Sequence, residues 1–154
     1  MLSLLIKTNT WSFTDSTVYH AALKSWERFD VAARAHLQHV TLKVNVDGET
    51  PDANGEDIIE IIEDLQTLPN LKTLKIYFSY KYSKHSQHVY YADNFNNEDC
   101  NNFEQICYAL ENIHVHESTV RGLRSDHLED RLEHIMMYGG SLGGPEGIWP
   151  EWID

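Results

Sequence analysis

The strongest constraint on this chain is a line of residues written twice. Leu37-Gln38-His39-Val40-Thr41-Leu42-Lys43-Val44 reads L-x-x-V-x-L-x-V, and Leu71-Lys72-Thr73-Leu74-Lys75-Ile76-Tyr77-Phe78 reads L-x-x-L-x-I-x-F 34 residues later. Apolar and polar residues alternate in both, which predicts strands over 38–46 and 71–79, each with one buried face. Between them, Ile58, Ile61, Ile62 and Leu65 recur at helical spacing and predict a helix over 56–67, stopped before Pro69. A strand, a helix and a like strand form a βαβ unit. Such a unit implies a parallel sheet, because parallel neighbours need a crossover between them. A weaker third copy, Leu110-Glu111-Asn112-Ile113-His114-Val115, predicts a strand over 112–117.

The remaining segments fit around that unit. Trp11-Ser12-Phe13 alternates and predicts a short strand. Val18, Ala21, Ala22, Trp26 and Phe29 predict a helix over 15–28, and Val31 to Ala35 a short helical turn. Helices are expected over 98–111, with Phe103, Ile106, Cys107 and Leu110 on one face, and over 125–138, with Leu128, Leu132, Ile135 and Met136. Gly139-Gly140 stops the last one. Residues 1–9 read as an apolar lead-in without a cap, and 47–55 as a loop on composition. Residues 80–97, rich in Tyr, His and Lys, read as an insertion with a short strand at 88–91. The expectation is one α/β domain over 1–140. It has three or four mostly parallel strands in a short leucine-rich-repeat-like arrangement, with helices on one face. Residues 141–154 form a Gly- and Trp-containing tail, whose Trp149 and Trp152 pack back on the domain or on a partner. So few repeats leave open sheet edges. The N-terminal segment and the tail are candidate caps, and homodimerisation through an open edge is the other solution.

Charge narrows the partners. Asp and Glu number 24 against 12 Lys and Arg, a net charge of −12. That disfavours nucleic acid, which needs a basic face to displace counterions, and an anionic membrane surface. No apolar run is long enough for a transmembrane span. Cys100 and Cys107 lie two helical turns apart, about 10 Å, too far for a disulfide. Thiols of this kind suit a reducing compartment, cytoplasmic or nuclear.

The order of segments also carries a resemblance. Asn9-Thr10-Trp11-Ser12-Phe13, then Arg34-Ala35-His36-Leu37-Gln38-His39-Val40-Thr41-Leu42, then Leu68-Pro69-Asn70-Leu71-Lys72-Thr73-Leu74 is similar to a large group of fungal proteins related to F-box and leucine-rich-repeat proteins. These carry an N-T-F-x-F strand, an R-x-x-I-R-H-L-x-L line and an L-P-N-L-K-x-L line. The likeness covers residues 9–78, and no counterpart of their F-box-like segment is expected here. It implies an intracellular scaffold.

In strands of this pattern the residues between the apolar ones line the free face of the sheet. That row holds Ser12, Thr41, Lys43, Thr73, Lys75, Tyr77, His114 and His116. Thr41, Lys43, Thr73, Lys75 and Tyr77 are the candidate binding residues, a mix suited to an acidic ligand. The expected function is an intracellular protein-interaction module acting through this face or through the 80–97 insertion, with a protein partner. The alternative is a small cofactor-free enzyme in which His114 or His116 acts as general acid or base while Lys75 and Tyr77 position a polar or anionic substrate. His114-x-His116 could also share a metal, but no H-E-x-x-H or C-x-x-C accompanies it, so neither metal nor cofactor is expected. Gly139-Gly140-Ser141-Leu142-Gly143-Gly144 follows a helix instead of preceding one and reads as a linker, not a phosphate loop.

Overall fold

A computed structural model describes residues 2–14, 21–45, 56–79, 101–123 and 126–142. The predicted 80–97 insertion, the strand at 88–91, the loop at 47–55, Cys100, Trp149 and Trp152 lie outside the described residues. The elements run α1 (Leu2–Thr8), β1 (Thr10–Thr14), α2 (Ala21–Glu27), α3 (Val31–Arg34), β2 (His39–Asn45), α4 (Glu56–Leu65), β3 (Thr73–Ser79), α5 (Asn101–Leu110), β4 (Glu117–Arg121) and α6 (Asp126–Tyr138). All four strands are parallel and stand in chain order, β1-β2-β3-β4. This is the α/β arrangement expected from the repeated line. Sequential parallel strands joined by crossovers of one hand put every connecting helix on the same side.

Burial follows the strand alternation. Phe13, Leu42, Ile76 and Val120 stand side by side across the four strands and are all buried. Val40, Leu74, Val44 and Phe78 extend that inner face. The helices meet it with their own stripes: Ile58, Ile61, Ile62 and Leu65 from α4, Ile106, Cys107 and Leu110 from α5, and Leu128, Leu132, Ile135 and Met136 from α6. Cys107 is thus a buried thiol in the core.

Side chains stitch one repeat to the next. Trp26 donates its indole N–H to Asp64 at 2.8 Å. Asn70 donates to the Ala35 carbonyl at 2.7 Å, and Gln66 to the Ala109 carbonyl at 2.9 Å. Leu142 packs into the core and donates its backbone N–H to Glu111 at 2.7 Å, so the chain beyond α6 begins as part of the domain.

Two sequence expectations are corrected here. The apolar lead-in is a helix. Its last carbonyls, of Leu4, Leu5 and Ile6, accept from Thr8 Oγ1 at 2.9 Å, Asn9 Nδ2 at 2.8 Å and Trp11 Nε1 at 3.2 Å. The hydroxyl of the helix's last residue and two side chains just past its end thus add bonds to carbonyls near the end of this short helix, where the backbone alone leaves acceptors under-used. The strand predicted from the third copy of the line is β4 at Glu117–Arg121, not 112–117. The Gln38 carbonyl accepts from the N–H groups of both Lys72 and Thr73, at 2.8 and 2.9 Å. The Lys72 carbonyl accepts in the same way from His116 and Glu117, at 2.9 and 3.1 Å. Gln38, Lys72 and His116 are therefore equivalent positions. The third copy of the line is Val115-x-x-Ser118-x-Val120, hidden because Ser118 stands opposite Leu74.

Candidate functional site

The inner face is consumed by the core, which leaves the outer face of the sheet. Its residues form rows across the strands. Thr14, Lys43, Tyr77 and Arg121 make one row; Ser12, Thr41, Lys75 and Thr119 the next; Thr10, His39, Thr73 and Glu117 the third. Lys43, Lys75 and Arg121 are exposed, and Tyr77 is 39% exposed. Neighbouring strands are about 4.8 Å apart, so Lys43 and Arg121 flank Tyr77 from roughly 10 Å apart, with Lys75 two residues along β3. Two lysines without a counter-ion among the described residues thus stand on strand positions next to one phenol, with the ion-paired Arg121 on its other side.

Thr41 lies on this face as predicted but is only 6% exposed, a short side chain on a strand flanked on both sides. Thr73 is half-buried. Neither offers much surface to a ligand.

Arg121 was not legible as a member of the row, because a strand predicted over 112–117 leaves it outside. Its guanidinium is engaged with the Glu133 carboxylate, which also accepts the Val120 N–H at 2.7 Å. That bond and charge push the Arg121 pKa further up, so Arg121 is a permanent cation. Glu133 belongs to α6, whose residues follow the free side of β4. Ser118 Oγ donates to the Glu133 carbonyl at 2.8 Å, and the Leu123 N–H to Glu129 at 3.0 Å. Glu129 is a buried carboxyl. Loss of solvation raises its pKa, against the opposing effect of the Leu123 N–H.

The two histidines do not join this row. His114 and His116 are exposed on the connection that enters β4, ahead of the strand. His116 precedes the residues paired with Lys75 and Tyr77 by three and five positions, Thr119 and Arg121. At about 3.3 Å per residue it lies roughly 10 Å along the sheet from Lys75 and roughly 16 Å from Tyr77. The general acid or base and the positioning groups of the enzyme reading are therefore not brought together. Among the described residues no three His, Cys, Asp or Glu side chains converge as a metal-ligand set, and no helix is long and apolar enough to cross a membrane.

No protein-family model, curated protein or solved structure matches the chain. What the outer face can bind is read from its own side chains. Lys43 and Lys75 have no counter-ion among the described residues, and the carboxylate of the outer rows is Glu117. One helix on the opposite side of the sheet is strongly acidic: α4 reads EDIIEIIEDL, without a Lys or Arg.

Proposed function

We propose that this chain is a protein-interaction module whose outer sheet face engages an acidic segment of a partner protein. The observation that carries this reading is the pair Lys43 and Lys75, without a counter-ion among the described residues, beside Tyr77 on the face opposite the core, in a chain with twice as many acids as bases. Such a patch steers an acidic partner to one side of the molecule, and the acidic α4 repels it from the other. Tyr77 supplies a flat, partly apolar contact between the cations, a residue type favoured at interface centres. The intracellular scaffold implied by the resemblance to F-box-related repeat proteins agrees with this role.

The test is a titration of the isotope-labelled protein with a ten-residue glutamate peptide at low salt, followed by NMR. Amide shifts should map to Lys43, Lys75, Tyr77 and Arg121. They should shrink as salt is added and vanish in the Lys43→Glu/Lys75→Glu variant. Equal shifts with a lysine peptide, or shifts that survive the double charge reversal, would sink the proposal.

A further inference from the structure

A different surface lies at the far edge of the sheet. The two edges are treated unequally. On β4, Glu133 occupies the Val120 N–H and Ser118 is bonded to the α6 backbone. On β1, no side chain or strand among the described residues bonds to the free side of Thr10–Thr14. A row of unpaired backbone groups is a template for an added strand.

A cleft of about 450 Å³ opens beside that bare edge, between β1 and the α2–α3 segment. Ile6, Trp11, Phe13, Phe29 and Ala33 line it. Its aromatic wall is fixed in edge-to-face contacts: Trp11 to Phe29 with ring centres 5.1 Å apart, and Phe13 to Phe29 at 5.9 Å. Trp11 is held further by its bond to the Ile6 carbonyl. Two charged residues reach the cleft. Asp30 caps α3, accepting from the Ala33 N–H at 2.7 Å. Arg28 is exposed and has no ion-pair partner among the described residues.

We propose that β1 and this cleft form a docking site for an extended peptide of a partner protein. The peptide adds as a strand along β1. It sets one aromatic or aliphatic side chain into the cleft and presents an acidic side chain to Arg28. Residues two apart on a strand share a face, so the recognised pattern is apolar-x-acidic. In strand addition, main-chain bonds supply affinity and side-chain pockets supply selectivity; the bare edge and the aromatic cleft provide one of each. The charge of Arg28, unmatched among the described residues, sets the sign of the flanking residue. This site is independent of the cationic face, whose residues point from the other side of the sheet.

The probe is the peptide acetyl-TVFTETVT-amide, added to the isotope-labelled full chain. The expected result is movement of the Thr10–Thr14 backbone amides and the Trp11 indole N–H, with the Lys43 and Lys75 amides unmoved. Arg28→Glu should weaken this peptide about fivefold, the effect of one exposed charge pair. It should also reverse the preference over acetyl-TVFTKTVT-amide. Because Arg28 is exposed and its side chain makes no bond among the described residues, that variant keeps the fold. N-methylation of alternate backbone nitrogens of the peptide, on the side that faces β1, should cost about tenfold. Three results overturn the proposal: no shift in Thr10–Thr14 up to the solubility limit of the peptide, indifference to Arg28→Glu, or equal binding of the N-methylated peptide. In the first of these, shifts confined to Lys43, Lys75 and Tyr77 assign the peptide to the cationic face.

Discussion

The indole N–H of Trp26 donates to the carboxylate of Asp64 at 2.8 Å, joining α2 to α4 across 38 residues of sequence. Trp26 is fully buried, so this is the polar end of a core side chain. The same Asp64 oxygen faces the Arg34 guanidinium at 3.5 Å, and Arg34 in turn lies over the Trp26 ring, 4.9 Å from its centre. Three residues from three elements of the helical layer thus share one contact.

Removing the acceptor from this group is expected to cost more than removing its charge. Asp64→Ala leaves a buried N–H unpaired, a loss of about 1–3 kcal/mol. Asp64→Asn keeps an oxygen for the indole and gives up only an ion pair whose carboxylate is well exposed, under about 1 kcal/mol. Urea denaturation of the two variants measures the difference. Equal destabilisation would mean that the indole bond contributes nothing.

Gly122 supplies a second contrast. Its φ is +96°, and a Cβ there would lie 2.0 Å from the Phe78 carbonyl oxygen, a backbone atom that cannot turn aside. Gly139 has φ +86° with nothing within 4 Å of the same imagined atom. Gly139→Ala should therefore cost only the left-handed conformation, about 1–2 kcal/mol. Gly122→Ala should cost about 3 kcal/mol or more, because β4 must also move from β3. Thermal melts of both proteins decide this, and similar losses at the two sites would show that the β3–β4 approach is soft.

These same residues show what was legible in advance. The apolar line through Val40, Leu42, Leu74 and Ile76 announced the parallel sheet, because burying one face demands strict alternation and nothing else in the segment opposes it. The third copy was misplaced for a local reason. Ser118 stands where the other strands carry Val40 and Leu74, its hydroxyl turned to the Glu133 carbonyl, and Gly122 follows the strand where bulk is excluded. With both signals lost, the nearest apolar alternation, Ile113 and Val115, attracted the reading and carried His114 and His116 onto a face they do not occupy. The helix α1 was missed because seven residues are too few for a period to show. Lys43, Lys75 and Tyr77 were placed correctly, since their strands were. Arg121 and the β1 cleft depend on register between distant segments, which no short window contains.

The guard on β4 can be removed. Glu133→Ala frees the Val120 N–H and releases Arg121, exposing an edge otherwise closed by a carboxylate. A stability loss of about 1–3 kcal/mol is expected, with association that rises with protein concentration as bare edges pair. Glu133→Gln keeps an acceptor for Val120 and should stay closer to the parent. Sedimentation velocity over a range of concentrations reads the association directly. An alanine variant with unchanged stability and no larger species would mean that α6 covers the edge by itself.

Glu129 makes stability depend on pH in a direction opposite to that of an ordinary paired carboxylate. Burial raises its pKa in the folded chain above the usual value of 4.5, aided by the charges of Asp126 and Glu133 and opposed by the Leu123 N–H and Arg121. The folded state therefore holds the proton more tightly than the unfolded state. Its favourable contribution is complete below about 4.5 and is lost as pH rises through the folded value. Once ionised, Glu129 is a buried carboxylate that the fold holds at a cost. Glu129→Gln removes that charge and retains an oxygen for the Leu123 N–H, so it should be more stable than the parent at pH 7. The advantage should shrink on acidification and disappear below about pH 4.5. Taking the difference between the two proteins cancels the self-repulsion of the other acids, which falls equally in both. Urea midpoints measured from pH 4 to pH 8 give the curve. If the Gln variant is less stable at pH 7 and draws level only in acid, Glu129 acts as a stabilising anion, and its hydrogen bond to Leu123 outweighs its burial.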